Sequence, residues 1–290
     1  MKKSIFISLF ILLLSFSASC IEAGSIAETT SFYTDKNGDK APVPKDFYVS
    51  TKANEQTIST GLVIIGSDGS EFVWVPMKES DFSNDAFSQR GFYDETNLST
   101  FIEMKESVLK YGGFYIGRYE TVKGKGNIPQ SKKSAKAGDI WVHIPPQDMI
   151  KVCKNLYSEN KSVTVFLPWG INWDRTLQWL VDTKSKSVKD VSRDSSSWGN
   201  YANNNFGSRN YSGSGAYEET KANNIYDLAG NFWEWTQERT SGGSYAARSG
   251  GYGIMGGPCN GNYYPASVRS GLPGNDHHPN IGFRIAMWVK

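Results

Sequence analysis

Asn224-Ile-Tyr-Asp-Leu-Ala-Gly-Asn-Phe-Trp-Glu-Trp-Thr236 is the stretch whose reading decides most about this chain. Its second half alternates as a strand does, with Trp233 and Trp235 on one face and Glu234 on the other. Asp227 and Glu234 flank a glycine turn, so their carboxylates and the carbonyls of Gly230 and Phe232 could surround a hard cation with oxygens. The same residues also read without a metal, with Asp227 capping the turn and Glu234 solvated on its strand.

Upstream, Thr60-Gly-Leu-Val-Ile-Ile-Gly-Ser-Asp-Gly-Ser-Glu-Phe-Val-Trp-Val-Pro76 holds two β-branched runs around a Ser-Asp-Gly-Ser turn and predicts a hairpin. Gly112 to Glu120 predicts a second strand, whose glycines let other backbone approach. Two helices are expected. One runs through Asp148–Tyr157, with Met149, Val152, Cys153 and Leu156 on one face; the other covers Asn172–Asp182, with Asn172 as N-cap and Trp173, Leu177 and Leu180 at helical spacing. From Lys184 onward Ser, Asn, Gly, Tyr and Trp dominate, and long irregular stretches of that kind usually carry function. No repeat of solenoid or propeller length is visible.

The N-terminus has Lys2 and Lys3, an apolar run from Ile5 to Phe16 and then Ser17-Ala18-Ser19-Cys20. That is the pattern of a signal peptide with a small-residue cleavage site. Cysteine at this position resembles the lipobox of bacterial lipoproteins, in which Cys20 becomes the acylated N-terminus; ordinary secretion with cleavage after Ala23 is the alternative. Residues 1–19 are then the signal peptide and residues 20–44, polar and without a sustained apolar period, a lipidated N-terminus and tether. Residues 45–290 form one domain.

Loss of residues 1–19 lowers the basic count from 31 to 29, equal to the 29 acidic residues. A neutral mature chain lacks the broad positive footprint that phosphate neutralisation requires, so no nucleic-acid partner is expected. With Cys20 lipidated, only Cys153 and Cys259 remain, too few for a disulfide scaffold; one bond between them is open, and so is a buried apolar role for Cys153.

Four blocks together resemble the sulfatase-modifying-factor family, the formylglycine-generating enzymes and their relatives: Gly113–Glu120, Asn224–Thr236, Arg248–Gly251 and Gly282–Arg284. The resemblance spans about residues 41–290. It implies an α+β fold of the C-type-lectin type, with mixed strands, two main helices and much irregular chain. It also implies calcium as a structural ion, because Asp227, Gly230, Phe232 and Glu234 match the family's calcium ligands. The family's enzymes oxidise a substrate cysteine with copper held by two thiolates, soft ligands suited to Cu(I). The corresponding positions here fall on about Gly256 and Gly261. Copper and catalysis of the family type are therefore not expected, and a copper-dependent thiol oxidase with a divergent site around Cys259 is the alternative.

Some relatives without catalysis are variable proteins of diversity-generating retroelements, in which the last part of the fold is mutated at adenines to change ligand specificity. The terminal loop here is compatible with that history. It carries Tyr252, Asn260, Asn262 and Tyr263, then Asn275, Asp276, His277 and His278, among glycines. Tyrosine supplies contact area at low entropic cost while Asn and Gly adapt their hydrogen bonding, so these residues are the expected ligand site. Adjacent histidines in an extended loop point apart and make a poor metal site. Gly250–Gly257 has no Lys-Ser/Thr after it and is not expected to hold phosphate. Arg269 and Arg284 are expected to brace the core. The whole reads as a lipid-anchored protein of the bacterial cell envelope, displayed outside the cytoplasm, that binds an unidentified protein or glycan.

Overall fold

The computed structural model describes residues 19–83, 86–204, 210–254, 257–275 and 277–290, so the signal segment falls outside it. The strands that build the core are β1 (Ser31–Thr34), β2 (Lys40–Val43), β3 (Phe47–Val49), β4 (Val63–Gly66), β5 (Glu71–Pro76), β6 (Gly113–Gly117), β7 (Val163–Phe166), β8 (Trp233–Thr240), β9 (Tyr245–Arg248), β10 (Ser270–Leu272), β11 (Ile281–Phe283) and β12 (Ala286–Val289). Helices α1 (Ser99–Tyr111), α2 (Pro146–Cys153), α3 (Gly170–Asp182) and α4 (Val188–Ser192) complete a strand-rich α+β arrangement with much irregular chain. No helix among the described residues is long and apolar enough to cross a membrane.

The main sheet has the order β7-β12-β6-β5-β4-β3, antiparallel throughout. Its strands are apolar at consecutive positions because both faces are covered. Phe72, Trp74, Tyr115, Met287 and Val289 turn to one core, while Val73, Val75, Phe114, Ile116 and Trp288 turn to the other. Phe101, Met104 and Val108 of α1 and Trp173, Leu177 and Leu180 of α3 fill the second core. A smaller sheet, β10-β9-β8-β11, is parallel only at β8–β11 and faces the first core through Trp233, Trp235 and Phe283.

The predicted hairpin and strand are β4–β5 and β6. Three readings are corrected. Helix α1 was missed, because exposed Ile102 and Leu109 blur the apolar face formed by Phe101, Met104 and Val108. Asn172 lies inside α3 rather than at its cap: Trp169 precedes the helix, and Asn172 Oδ1 accepts the Trp169 N–H at 3.1 Å.

The third correction concerns residues 20–44, which are not a tether. β1 and β2 pair in register from Ser31↔Val43 to Thr34↔Lys40, and Ala27, Ala41 and Val43 are almost wholly buried. The turn is closed by Asp35, whose Oδ1 accepts the Asn37 and Asp39 N–H groups at 2.8 and 3.1 Å. Asp35 Oδ2 accepts the Ile58 N–H at 2.9 Å, and Tyr115 donates its hydroxyl to the Pro42 carbonyl at 2.8 Å. Asn37-Gly38 between β-forming runs was the signal for this hairpin, and Gly38 has the left-handed φ of 88° that the turn requires.

A fully buried Val is worth roughly 1.5–3 kcal/mol, and a domain's whole stability is only about 5–15 kcal/mol. Deleting residues 19–44 is therefore expected to unfold the protein or lower its melting temperature by more than about 10 °C. A truncated chain that melts like the full one, by circular dichroism, would restore the tether.

Candidate functional site

The Asn224–Thr236 stretch is buried and tightly held. Asn224, Asp227, Gly230 and Asn231 all adopt left-handed backbone, at φ of 62, 58, 74 and 59°. Asn and Asp tolerate that region because their side chains bond locally, and position 230 requires glycine because a Cβ there would stand 2.4 Å from the Asn200 carbonyl oxygen. Asn224 Nδ2 donates to the carbonyls of Gly61 and Asn54 at 2.7 and 2.9 Å. Asn231 donates to Glu120 Oε2 at 2.5 Å and accepts from Asn200 Nδ2 at 3.0 Å.

Three of the four positions expected around calcium, Asp227, Gly230 and Glu234, are engaged by the protein's own donors in this arrangement. Glu234, fully buried rather than solvated, meets Arg284 with both oxygens, at 2.7 Å to Nη2 and 3.1 Å to Nε. The Gly230 carbonyl accepts the Ser249 hydroxyl at 3.0 Å. Asp227 Oδ2 accepts from Ser214 and Gly215 at 2.9 and 2.8 Å, and only its Oδ1 is buried without a partner. Calcium takes about six to eight oxygens. Here the guanidinium of Arg284 supplies the positive charge, and among the described residues no three Asp, Glu, His or Cys side chains gather as a metal site.

Glu120, not anticipated from the sequence, belongs to the same cluster. It accepts the Phe232 N–H at 3.0 Å, and burial, with the charges of Asp227 and Glu234 added, pushes its carboxyl well above the ordinary range. Burial likewise raises Asp227.

Seven of the eight expected ligand residues are described, and they are divided among three places. Tyr252 packs its ring 5.5 Å from Tyr211, which lies 4.6 Å from Phe232, and its N–H binds the Asn231 carbonyl at 2.7 Å. His277 and His143 exchange ring-to-backbone contacts, at 3.0 Å from His277 Nδ1 to the His143 carbonyl and 3.3 Å in the reverse sense. His278 accepts the His143 N–H on its carbonyl and lies 6.3 Å from the Trp235 ring. Asn275 is exposed in this second place, and Asp276 lies outside the described residues.

Asn260, Asn262 and Tyr263 form the third place. The Asn260 carbonyl accepts both the Tyr263 and Tyr264 N–H at 3.0 Å, and this turn projects Tyr263 outward with 72% of its surface exposed. Asn262 and Tyr263 line an open cleft of about 580 Å³ with Phe87, Gln89, Ser192 and Arg193. The partners come from two other segments, and no periodicity or motif in the sequence joins them to the terminal loop.

Two arginines and two carboxylates hold the cleft walls. Arg248 donates to Asp174 and Glu238 at 2.6 and 3.2 Å; Arg269 donates to Glu238 at 2.7 Å and to Asp174. The same guanidinia bind the backbone lining the cleft, Arg269 to the Phe87 carbonyl at 2.5 Å and Arg248 to those of Val268 and Ser267 at 3.1 and 3.2 Å. Arg269 is a bracing group, as expected, and Arg248, which was not anticipated, serves the same role. Neither remaining cysteine joins the cleft or forms a disulfide. Cys153 is packed in the first core, and burial pushes the Cys259 thiol up to about 11.

No family model and no curated protein matches the chain. Among solved structures it is similar to the Treponema denticola variable protein 1, at 12% identity and a TM-score of 0.42, over 74% of this chain and 95% of that one. It is also similar to the protein of the structure titled "Crystal Structure of CarF", at 14% identity and a TM-score of 0.41, over 61% of this chain and 87% of that one.

The acid cluster sets a pH dependence. Glu120 is ionised in the unfolded chain above its ordinary 4.5 but keeps its proton when folded, so the native state binds more protons. That contribution is complete below the unfolded value and is lost as pH rises through the folded one. Stability is expected to fall as pH rises above the ordinary carboxylate range, and less steeply in Glu120→Gln. Urea midpoints at rising pH check this, and equal slopes in the two proteins would refute it. Arg284→Gln, which leaves Glu234 buried and unpaired, is expected to cost about 3–5 kcal/mol in the same assay, with calcium giving no rescue.

Proposed function

We propose that this chain is a lipid-anchored protein of the bacterial envelope that binds a protein or glycan ligand outside the cytoplasm through the cleft around Asn262 and Tyr263. The observation that carries the reading is Tyr263, a large aromatic side chain left 72% exposed at the rim of a cleft whose walls are fixed from behind by buried ion pairs. Exposed tyrosine beside Asn, Ser and Arg on a rigid frame is the composition of a recognition surface. The finer identity, a C-type-lectin-like variable domain diversified in its last part, is supported by the four sequence blocks and by the Asn-, Tyr- and Gly-rich terminal loop. Such a fold does not make the ligand a sugar, because function resides in the site.

The anchor reading is supported by Cys20 after Ser-Ala-Ser, with its side chain exposed. Cys20 and the cleft also lie toward opposite ends of α1. At one end Tyr111 packs 6.4 Å from Phe32, the strand partner of Cys20. At the other, Phe101 packs on Trp169 just before α3, which bears Asp174 of the bracing network.

Tyr263→Ala is expected to weaken capture of ligands found in a protein and glycan array by about ten-fold or more, with folding stability changed by less than about 0.5 kcal/mol. Retention of full binding by both Tyr263→Ala and Asn262→Ala would move the site elsewhere. For the anchor, Cys20→Ser is expected to shift the protein from the membrane to the soluble fraction of a producing bacterium. A variant that stays in the membrane would remove that part of the reading.

A further inference from the structure

Arg193 brings an uncompensated charge to the cleft. It follows α4, is exposed, and lines the cleft beside Asn262 and Tyr263. Among the described residues it is the only charged side chain in that lining, and its guanidinium takes no carboxylate or hydrogen-bond partner there. The nearest acids along the chain are turned elsewhere. Asp190 Oδ2 accepts from the Ser187 backbone and hydroxyl at 2.8 and 2.7 Å, and Asp194 Oδ1 accepts from those of Ser196 at 3.0 and 2.7 Å. Behind the cleft, Arg248 and Arg269 are matched by Asp174 and Glu238, so the brace adds no net charge.

Backbone bonds fix the segment of Arg193 against that of Tyr263. The Arg193 N–H donates to the Lys189 carbonyl at 3.0 Å and the Ser195 N–H to the Gly261 carbonyl at 3.1 Å. The Ala266 and Ser267 N–H groups reach the Ser195 hydroxyl and the Val191 carbonyl at 3.0 and 2.9 Å. An apolar contact lies alongside. Val188 is 54% exposed, one helical turn before Ser192 of the cleft lining and on the same face of α4. An aromatic ring, a guanidinium and an aliphatic group on one ordered frame make the composition of a protein-binding hot spot. A glycan offers mainly hydroxyls and has no aliphatic side chain with which to cover Val188.

We propose that the ligand of this cleft is a protein segment with an exposed Asp or Glu, whose carboxylate pairs with Arg193 while an apolar neighbour covers Tyr263 and Val188. The inference rests on the reading of the Asn262–Tyr263 cleft as the ligand site and adds the chemical class of the ligand. A guanidinium receives a carboxylate through two parallel, charge-assisted N–H···O bonds, which a neutral amide cannot reproduce.

The test uses the full chain and an array of short peptides, in which each acidic member has a twin with Asn and Gln in place of Asp and Glu. The protein is expected to capture acidic peptides with apolar neighbours about ten-fold or more better than their neutral twins. Arg193→Ala is expected to remove that preference, Arg193→Lys to keep part of it, and Val188→Ser to weaken capture of the same peptides. Both positions are exposed, so these variants are expected to melt as the parent does. Arg193→Glu is expected to turn selection toward peptides with Lys in place of Asp and Glu. Equal capture of acidic and neutral twins, or capture unchanged by Arg193→Ala, would overturn the inference, as would capture of glycans alone or of no acidic peptide. Where binding remains in those cases, its loss in Tyr263→Ala leaves the cleft reading standing. Binding that survives Tyr263→Ala, Asn262→Ala and Arg193→Ala alike would overturn both.

Discussion

The guanidinium of Arg284 is the point on which both sheets depend. It lies between β11 of the smaller sheet and β12 of the main one, where the chain crosses from one to the other. Its fork grips Glu234 of β8, and its remaining N–H groups reach the carbonyls of Gly117 beside β6 and Tyr226 at 3.0 and 2.9 Å. One side chain thus joins the two sheets and the turn before β8. A buried ion pair contributes little net stability when complete but costs several kcal/mol when halved, so its weight lies in specifying this arrangement over alternatives. Glu120 and Asp227 extend the polar centre, and their raised affinity for protons limits the negative charge that a single guanidinium must offset.

A second buried network does for the cleft what Arg284 does for the sheets. Arg248, Arg269, Asp174 and Glu238 alternate in sign and satisfy one another, while their spare N–H groups hold the backbone at Phe87, Ser267 and Val268. Cleft walls pinned in this way tolerate change in the side chains above them, because the brace is made by Arg248, Arg269, Asp174 and Glu238 and not by Asn262 or Tyr263. That separation of frame from contact surface is what a recognition module needs, since ordering entropy is met by folding and not by binding.

Local pattern made part of this legible. The β4–β5 hairpin, β6, the helices around Cys153 and Trp173, and the bracing arginines were all read from alternation, helical spacing or residue type. The misses share a cause, which is that tertiary burial reverses a local signal. Residues 20–44 look polar, yet Ala27, Tyr33, Ala41 and Val43 among their apolar members are buried. Glu234 looks like a solvated strand residue until Arg284 arrives from fifty positions away, and three of the four presumed calcium positions, Glu234, Gly230 and Asp227, are engaged by Arg284, Ser249, Ser214 and Gly215. Of the eight terminal-loop residues expected at a ligand site, Asn262 and Tyr263 line the cleft, and Asn260 holds the turn that carries them. His277 and His278 are engaged by a loop around His143 that no sequence period connects to them.

The folding of residues 20–44 into the body changes how an anchored molecule would sample its surroundings. A flexible segment of that length would give a reach of roughly 25–30 Å and let the domain tumble above its anchor. With Ser19–Ala27 laid along β1 and β3, a lipid on Cys20 would leave almost no reach and would set the attitude of the cleft. Neighbouring copies could then engage one multivalent partner only at spacings set by their density in the membrane, making surface crowding, rather than linker length, the variable that controls avidity.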